Sequence, residues 1–242
     1  HYDELSPVGA HEVIIESPAH VRSLDELGKE PFAAVAHAWQ ERIVDLQKDF
    51  RLLYAAIFRN TGRAAGAQLT HAHSQLIALP FVPREIELEI AAFRAHEALH
   101  ERCLLCDLLR QEQSGAERVV YENDAFTVFA PYASKVPFEL WIVPRRCDAR
   151  FERISAGERS QLGDAMFTAL KKLGRALGNA PLRFDIRTSP LGERAVKSYH
   201  WRAELAPVLV PSGSFEGGTG ACINPVSPES AAELLRDTLV SG

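Results

Sequence analysis

The sequence predicts an α+β fold, in which two similar halves form a continuous antiparallel sheet with helices packed against it. Two observations predict this. A strand-like segment with a proline exit and a polar end occurs twice, 127 residues apart. Each copy leads through a long amphipathic stretch into a histidine-bearing strand, and the second pair of strands is 129 residues apart. Offsets that persist over several consecutive elements mark an internal repeat. The halves are placed at residues 1–82 and 83–242.

The first strand is Glu12-Val13-Ile14-Ile15-Glu16-Ser17-Pro18-Ala19-His20, and its counterpart is Glu139-Leu140-Trp141-Ile142-Val143-Pro144-Arg145-Arg146-Cys147. Leu24-Asp25-Glu26-Leu27 and Phe151-Glu152-Arg153-Ile154 follow as similar phrases. Each then runs into an amphipathic stretch. Its apolar side carries Val35, Trp39, Ile43 and Leu46 in the first half, and Leu162, Met166, Leu170 and Leu173 in the second. Spacings of three and four residues put these side chains on one side of a helix. Residues 50–58 are largely apolar and read as a strand closed by the turn Asn60-Thr61-Gly62. Residues 182–186 are the shorter counterpart. The connection over 83–118 reads as mostly helical (85–110), ending in a polar stretch at 111–115. The second half has further strand text at 118–129, preceded by Cys103 and Cys106. The counterparts of both would precede residue 1, so the chain is expected to begin inside its first half.

Composition narrows the function. The 242 residues are 46% hydrophobic and 24% charged, with a net charge of −5, an ordinary globular balance. A mildly acidic chain does not suit a partner bound by bulk positive charge, so no nucleic-acid partner is expected. No run approaches the roughly 18 apolar residues of a membrane span, and His1-Tyr2-Asp3-Glu4 has no basic region followed by an apolar run. Four cysteines are too few for a disulfide scaffold at this length. The expected compartment is the cytoplasm, with no membrane partner, where Cys-x-x-Cys suggests metal before disulfide.

The chemistry concentrates in His71-Ala72-His73-Ser74-Gln75. Strand alternation sends His71, His73 and Gln75 to one face. Three polar groups there need a metal, a ligand or water, because burying them unpartnered costs a few kcal/mol each. An imidazole has an ordinary pKa of about 6.5, so it presents a neutral nucleophile at pH 7 without an extra base. One histidine can be that nucleophile while the other binds metal or fixes the strand. A glutamine amide can donate to a phosphoryl oxygen. The preceding Asn60-Thr61-Gly62-Arg63-Ala64-Ala65-Gly66 lets backbone approach phosphate at its glycines, and Asn60 and Arg63 add donors. The bland alternative is a strand lining a solvated surface or a structural metal site.

The run from Phe58 to Gln75, with Asn60, Gly66 and His71-x-His73-x-Gln75, resembles the signature of galactose-1-phosphate uridylyltransferases, of the histidine-triad superfamily. Gly9-Ala10-His11-Glu12, Ser198-Tyr199-His200-Trp201 and Gly218-Thr219-Gly220 through Asn224 and Glu229 resemble other segments of the same family. The resemblance spans nearly the whole chain. It implies that His73 is the catalytic nucleophile and takes up a nucleoside monophosphate. The backbone carbonyl of His71 would orient it, Gln75 would hold the transferred phosphoryl oxygens, and Asn60 would contact the nucleotide phosphates. Gln68 stands where relatives commonly have a small polar residue near the phosphate, which bears on the acceptor or leaving group. Glu216 lies in a glycine-containing segment resembling the loop that reaches the sugar phosphate from a partner subunit, and a homodimer is implied on the same ground. A solvated glycine-rich loop is the alternative.

Zinc is the expected cofactor. Cys103 and Cys106 form a half-site of common spacing, and the repeat supplies Cys147 and His200. Many relatives have histidine at the position of Cys147, and thiolate is an acceptable replacement. The alternative is that the pair are small core residues. A thioredoxin-type redox role is disfavoured, because Leu104 and Leu105 fill the motif without a surrounding βαβ pattern. The first half offers His20 and, by resemblance, His71 as the equivalent ligands. In the second half Arg202 and Glu204 replace His73 and Gln75. Arginine is always protonated and is no nucleophile, so one nucleophile per chain is expected.

These readings lead to a nucleotidyltransferase acting between an NDP-sugar and a sugar 1-phosphate, similar to UDP-glucose–hexose-1-phosphate uridylyltransferases. The alternatives are an NDP-sugar phosphorylase using inorganic phosphate, a hydrolase, and a non-catalytic zinc-stabilised nucleotide-binding protein.

Overall fold

The strand–helix–strand–strand unit occurs twice in the computed structural model, which describes residues 8–22, 24–192, 196–210 and 213–240. The terminal stretch His1 to Glu4 lies outside these. In chain order the elements are β1 (Ala10–Ile15), α1 (Lys29–Leu46), β2 (Tyr54–Thr61), β3 (His73–Leu79), α2 (Arg84–His100), α3 (Leu104–Gly115), β4 (Val119–Glu122), β5 (Phe126–Phe129), β6 (Leu140–Pro144), α4 (Ala156–Leu177), β7 (Leu182–Arg187), β8 (Arg202–Pro207), α5 (Ser214–Thr219) and α6 (Pro228–Asp237). All pairings of the eight-stranded sheet are antiparallel, in the order β1-β3-β2-β7-β8-β6-β5-β4. The triplet β1-β3-β2 thus meets β7-β8-β6 at the β2–β7 seam, and each half repeats the other's connectivity.

The two faces of the sheet are covered differently. On the inner face α1 and α4 lie side by side, as their apolar stripes predict. Val35, Trp39 and Ile43 of α1 and Leu162, Met166, Leu170 and Leu173 of α4 are buried. Trp39 stacks on Phe184 of β7 at 5.4 Å between ring centres, and its indole N–H donates to the buried Ser74 hydroxyl at 2.7 Å. A buried indole needs such an acceptor, and this one ties α1 to the strand that carries His73. On the outer face α2 and α3 cover the second half through Ile86, Ile90, Phe93, Leu105 and Leu109 against Phe129, Val143 and Tyr199. The outer face of β1 is open, with Val13 51% and Ile15 59% exposed.

Several boundaries differ from the sequence reading for local reasons. The connection is two helices rather than one, because Glu101 ends α2 in the left-handed region (φ 55°) and Cys103 caps α3. The polar residues 111–115 are the last turn of α3, not a linker. The strand after α1 starts at Tyr54 and not at 50, since Asp49 turns back to accept from the Arg51 amide. Asn60 and Thr61 belong to β2, paired with Arg183 and Leu182, so only Gly62 starts the turn. The histidine strands begin at His73 and Arg202. His71 and His200 precede them in irregular backbone that directs their rings to other partners. Among the described residues no helix is long and apolar enough to cross a membrane.

The start of α4 carries a pH-dependent contribution to stability. Ser155 and Glu158 form a capping box, in which the Ser155 hydroxyl accepts from the Glu158 amide and Glu158 accepts from the Ser155 amide. Arg146 adds a 2.7 Å hydrogen bond to the same carboxylate. Partial burial works to raise the Glu158 pKa, but the hydrogen bonds from Arg146 and the Ser155 amide prevail and hold it at about 2, below its ordinary 4.5. A depressed carboxylate stabilises the fold above its unfolded pKa, and that contribution is lost as the pH falls through the folded value. Glu158→Gln is expected to cost about 1–2 kcal/mol at pH 7. In denaturant titrations, the gap to the wild type should narrow between about pH 4.5 and pH 2.

Candidate active site and metal centre

Antiparallel pairing gives directly opposed residues a common face. Opposite Gln75 stand Val13 of β1 and Phe58 of β2, and opposite His73 stands Ile15. His73 and Gln75 therefore share the outer face, as the alternation predicts. His71 contributes through its carbonyl instead of from a strand position. The His73 Nδ1 lies 2.8 Å from the His71 carbonyl oxygen. A carbonyl only accepts, so Nδ1 carries the proton and Nε2 keeps its lone pair. The ring is nearly buried, at 7% exposed.

His73 lines a cavity of about 1000 Å³ at the end of the sheet where β2 leaves and β3 begins. Asn60, Arg63, Gln68 and His71 share its polar wall, and Leu170, Leu173 and Leu177 of α4 make an apolar one. Gln75 stands outside this lining, two residues along the strand, where its side-chain oxygen meets His11 Nε2 at 2.8 Å. Gly66 also lies outside the lining but shapes it. It sits at φ 100°, and a Cβ there would come within 3.2 Å of the Asn60 amide nitrogen, so glycine leaves room for that side chain. Glu216 is not among the residues that line the cavity. It caps α5, where its carboxylate accepts from the Gly213 amide at 3.0 Å.

Two charged residues at this end escaped the sequence reading. Arg59 and Glu16 are buried and paired, Nε to Oε2 at 3.1 Å. Burial raises the Glu16 pKa and lowers that of Arg59, while each partner opposes the shift of the other. Arg59 also lines the cavity, donating to the Thr61 hydroxyl and the Arg22 carbonyl. The available signal was parity, since Ala55, Ile57 and Arg59 share the inward face of β2 and only the last is charged.

Cys103, Cys106, Cys147 and His200 converge, with their ligand atoms all within 4.8 Å of one another. They come from the cap and first turn of α3, the loop after β6 and the residues before β8. The Cys106 and Cys103 sulfurs stand 3.4 and 3.8 Å from His200 Nδ1. A tetrahedral ion with zinc's bond lengths requires about 3.6 Å between sulfur and nitrogen ligands. The His200 Nε2–H donates to the Pro144 carbonyl at 2.9 Å, the outer hydrogen bond that fixes a metal-binding imidazole. Hydrogen bonds from Cys106 and Cys147 pull Cys103 far below the ordinary thiol range, and the Cys103 contact in turn pushes Cys106 up to about 11. A cluster that favours a thiolate is suited to a metal, so the group can bind one.

In the first half, His20 and His71 meet Nδ1 to Nδ1 at 3.3 Å, and His71 Nε2 donates to the Ser17 carbonyl at 2.7 Å. Ser17 and Pro144 are repeat equivalents, so both histidines are oriented in the same way. Among the described residues only these two ligands are present there.

The positions equivalent to His73 and Gln75 hold a buried ion pair instead. Arg202 Nε donates to Glu204 at 2.8 Å, the guanidinium also binds Glu89 of α2, and it lies 4.2 Å over the Trp141 ring. Neighbouring Arg187 pairs with Asp185 at 2.7 Å. The second-half position therefore holds paired charge where the first half holds an imidazole.

Comparison with known proteins gives a consistent family. The family described as galactose-1-phosphate uridyl transferase, N-terminal domain, matches residues 1–83. The chain is 32% identical over 231 residues to ADP-glucose phosphorylase of Arabidopsis thaliana, covering 95% of this chain and 64% of that protein. It is 31% identical over 240 residues to galactose-1-phosphate uridylyltransferase of Thermotoga maritima, covering 96% and 75%. Among solved structures, ADP-glucose phosphorylase from Arabidopsis thaliana with bound ADP-glucose superposes with a TM-score of 0.89 at 31% identity, covering 96% of this chain and 74% of that one.

Proposed function

The chain belongs to the galactose-1-phosphate uridylyltransferase family, and on that premise we propose that it moves a nucleoside monophosphate between an NDP-sugar and a sugar 1-phosphate through a nucleotidyl-His73 intermediate. The observation that carries this reading is the 2.8 Å hydrogen bond from His73 Nδ1 to the His71 carbonyl. It leaves the Nε2 lone pair free to attack the α-phosphorus. The bond from that phosphorus to the bridging oxygen breaks, and sugar 1-phosphate leaves. In the second step a phosphate oxygen of the acceptor attacks the same phosphorus, the P–N bond breaks, and Nε2 regains its lone pair. Nδ1 keeps its proton throughout, and the His71 carbonyl stabilises the cationic ring of the intermediate. Asn60, Arg63 and Gln68 donate to the phosphates from the polar wall, with Gly66 keeping Asn60 in place, and Gln75 holds the transferred group.

Residues 1–82 supply this chemistry, and residues 83–242 supply the metal centre and the ion-paired counterpart. Zinc is the proposed ion for Cys103, Cys106, Cys147 and His200, on the distances and the fixed imidazole. Bound there, it contributes folding energy and no step of the reaction. His20 and His71 provide half of a second such site. A homodimer is the proposed assembly, since Val13 and Ile15 expose apolar surface beside the catalytic strand, and Glu216 would then serve the partner's site.

A second reading is favoured by the similarity to ADP-glucose phosphorylase and by Gln68. In that reading inorganic phosphate is the acceptor and the products are NDP and sugar 1-phosphate. One experiment separates the possibilities. Zinc-loaded protein is incubated with a panel of NDP-sugars and its intact mass is recorded. A gain of one nucleoside monophosphate is expected. The isolated adduct is then chased with hexose 1-phosphate or with inorganic phosphate. Release as NDP-sugar by a hexose 1-phosphate other than the donor's own, with no release by inorganic phosphate, supports the transferase, and release as NDP by inorganic phosphate supports the phosphorylase. No adduct with any donor would refute covalent transfer.

A further inference from the structure

We propose that His11 is a positioning residue that fixes which end of the Gln75 amide faces the transferred phosphoryl group, an inference that rests on the nucleotidyl-transfer reading above. His11 lies on the edge strand β1 opposite Ile77, while Val13 is opposite Gln75. His11 and Gln75 are thus diagonal neighbours on the outer face, at a separation that long side chains bridge. His11 Nε2 is 2.8 Å from Gln75 Oε1. The amide oxygen only accepts, so the imidazole N–H is the donor.

The consequence is one of polarity. The terminal torsion of a glutamine is broad and roughly two-fold, so an unconstrained amide presents either its oxygen or its NH₂ group to the same place. At a phosphoryl group that gains negative charge the two ends act oppositely: NH₂ stabilises and the oxygen repels. With its oxygen held by His11, Gln75 keeps both N–H groups for the phosphoryl oxygens. The support is firm on the backbone side. Six residue pairs register β1 on β3, and a Cβ at Gly9 would come within 2.8 Å of the Ala78 carbonyl, so the strands are in close contact two residues before His11. The His11 side chain is exposed and lies outside the hydrophobic core. Its replacement is therefore expected to leave the fold intact and to alter the rate.

The test is the single-turnover rate of nucleotidylation of the full-length zinc-loaded protein, with the NDP-sugar that labels the wild type. Donor affinity is taken from the concentration dependence, and melting curves are recorded alongside. His11→Ala is expected to slow nucleotidylation about 5- to 10-fold with donor affinity and melting unchanged. His11→Gln, which keeps an N–H donor at similar reach, should recover the rate to within about twofold. In a Gln75→Ala background, His11→Ala should have less than about a twofold further effect, because the side chain it acts through is gone. A wild-type rate in His11→Ala, or losses that multiply in the double variant, would overturn the inference while leaving nucleotidyl transfer standing. A wild-type protein that takes up no nucleotide from any donor would overturn both.

Discussion

His73→Asn is expected to abolish the nucleotidylated species and to lower turnover by at least about 1,000-fold, as removal of an essential nucleophile does. Asparagine is a demanding choice of variant. It is smaller than the imidazole, and its amide can still donate to the His71 carbonyl, so the start of β3 keeps the hydrogen bond that turns residue 73 into place. What it lacks is a lone pair able to form a P–N bond, since the amide nitrogen is conjugated with its carbonyl. The loss should therefore appear in the chemical step, while donor affinity, which the proposed mechanism assigns to Asn60, Arg63 and Gln68 along the cavity wall, changes little. Intact-mass labelling and a donor-binding titration on the same sample read the two quantities separately. Full labelling of the variant would show that another residue carries the nucleotide. Arg202, the repeat equivalent, cannot replace it, because its guanidinium is bound by Glu204 and Glu89 and stays protonated.

Cys106→Ala is expected to remove one metal ion per chain and to lower the melting temperature by about 10 °C. The four ligands join three separate parts of the second half: the first turn of α3, the loop after β6, and the residues before β8. An ion held there would pin α3, and α2 packed against it, to the outer face of the sheet. In small zinc domains such an ion contributes about 10–16 kcal/mol, and losing one ligand in four forfeits several of these. For a chain of this size each kcal/mol corresponds to about 2–4 °C. Metal analysis and thermal melts, with and without chelator, test this together. Cys222→Ala provides the control, since that thiol is exposed and outside the cluster. Unchanged metal content in Cys106→Ala would place the ion elsewhere.

Much of this protein is legible from local chemistry alone. Spacings of three and four residues locate both sheet-facing helices, because an apolar stripe on a helix has no stable place except against a core. The persistent offset between Glu12 and Glu139, and between His71 and His200, marks two equivalent halves. Alternation places His73 and Gln75 on one face, and the Cys-x-x-Cys spacing with the repeat assembles all four ligands that the fold brings together. These are consequences of short-range geometry, which chain order carries directly.

Other features depend on which strand lies beside which. Nothing in residues 10–15 reveals that β1 docks on β3 in the register that sets His11 against Gln75. Nor does the chain reveal that Arg59 turns inward to meet Glu16, or that Arg202 is held by a glutamate from α2 113 residues away. The break at Glu101, which separates α2 from α3 and leaves Cys103 to cap the second helix, is equally hidden. A side chain's partner across a sheet is fixed by register, and register is set by the total burial of both faces rather than by any local run of residues. Chain order therefore specifies the repeat, the sheet-facing helices and the proposed nucleophile. The assembled sheet settles how that nucleophile is oriented, what surrounds it, and which groups its neighbours leave free to act.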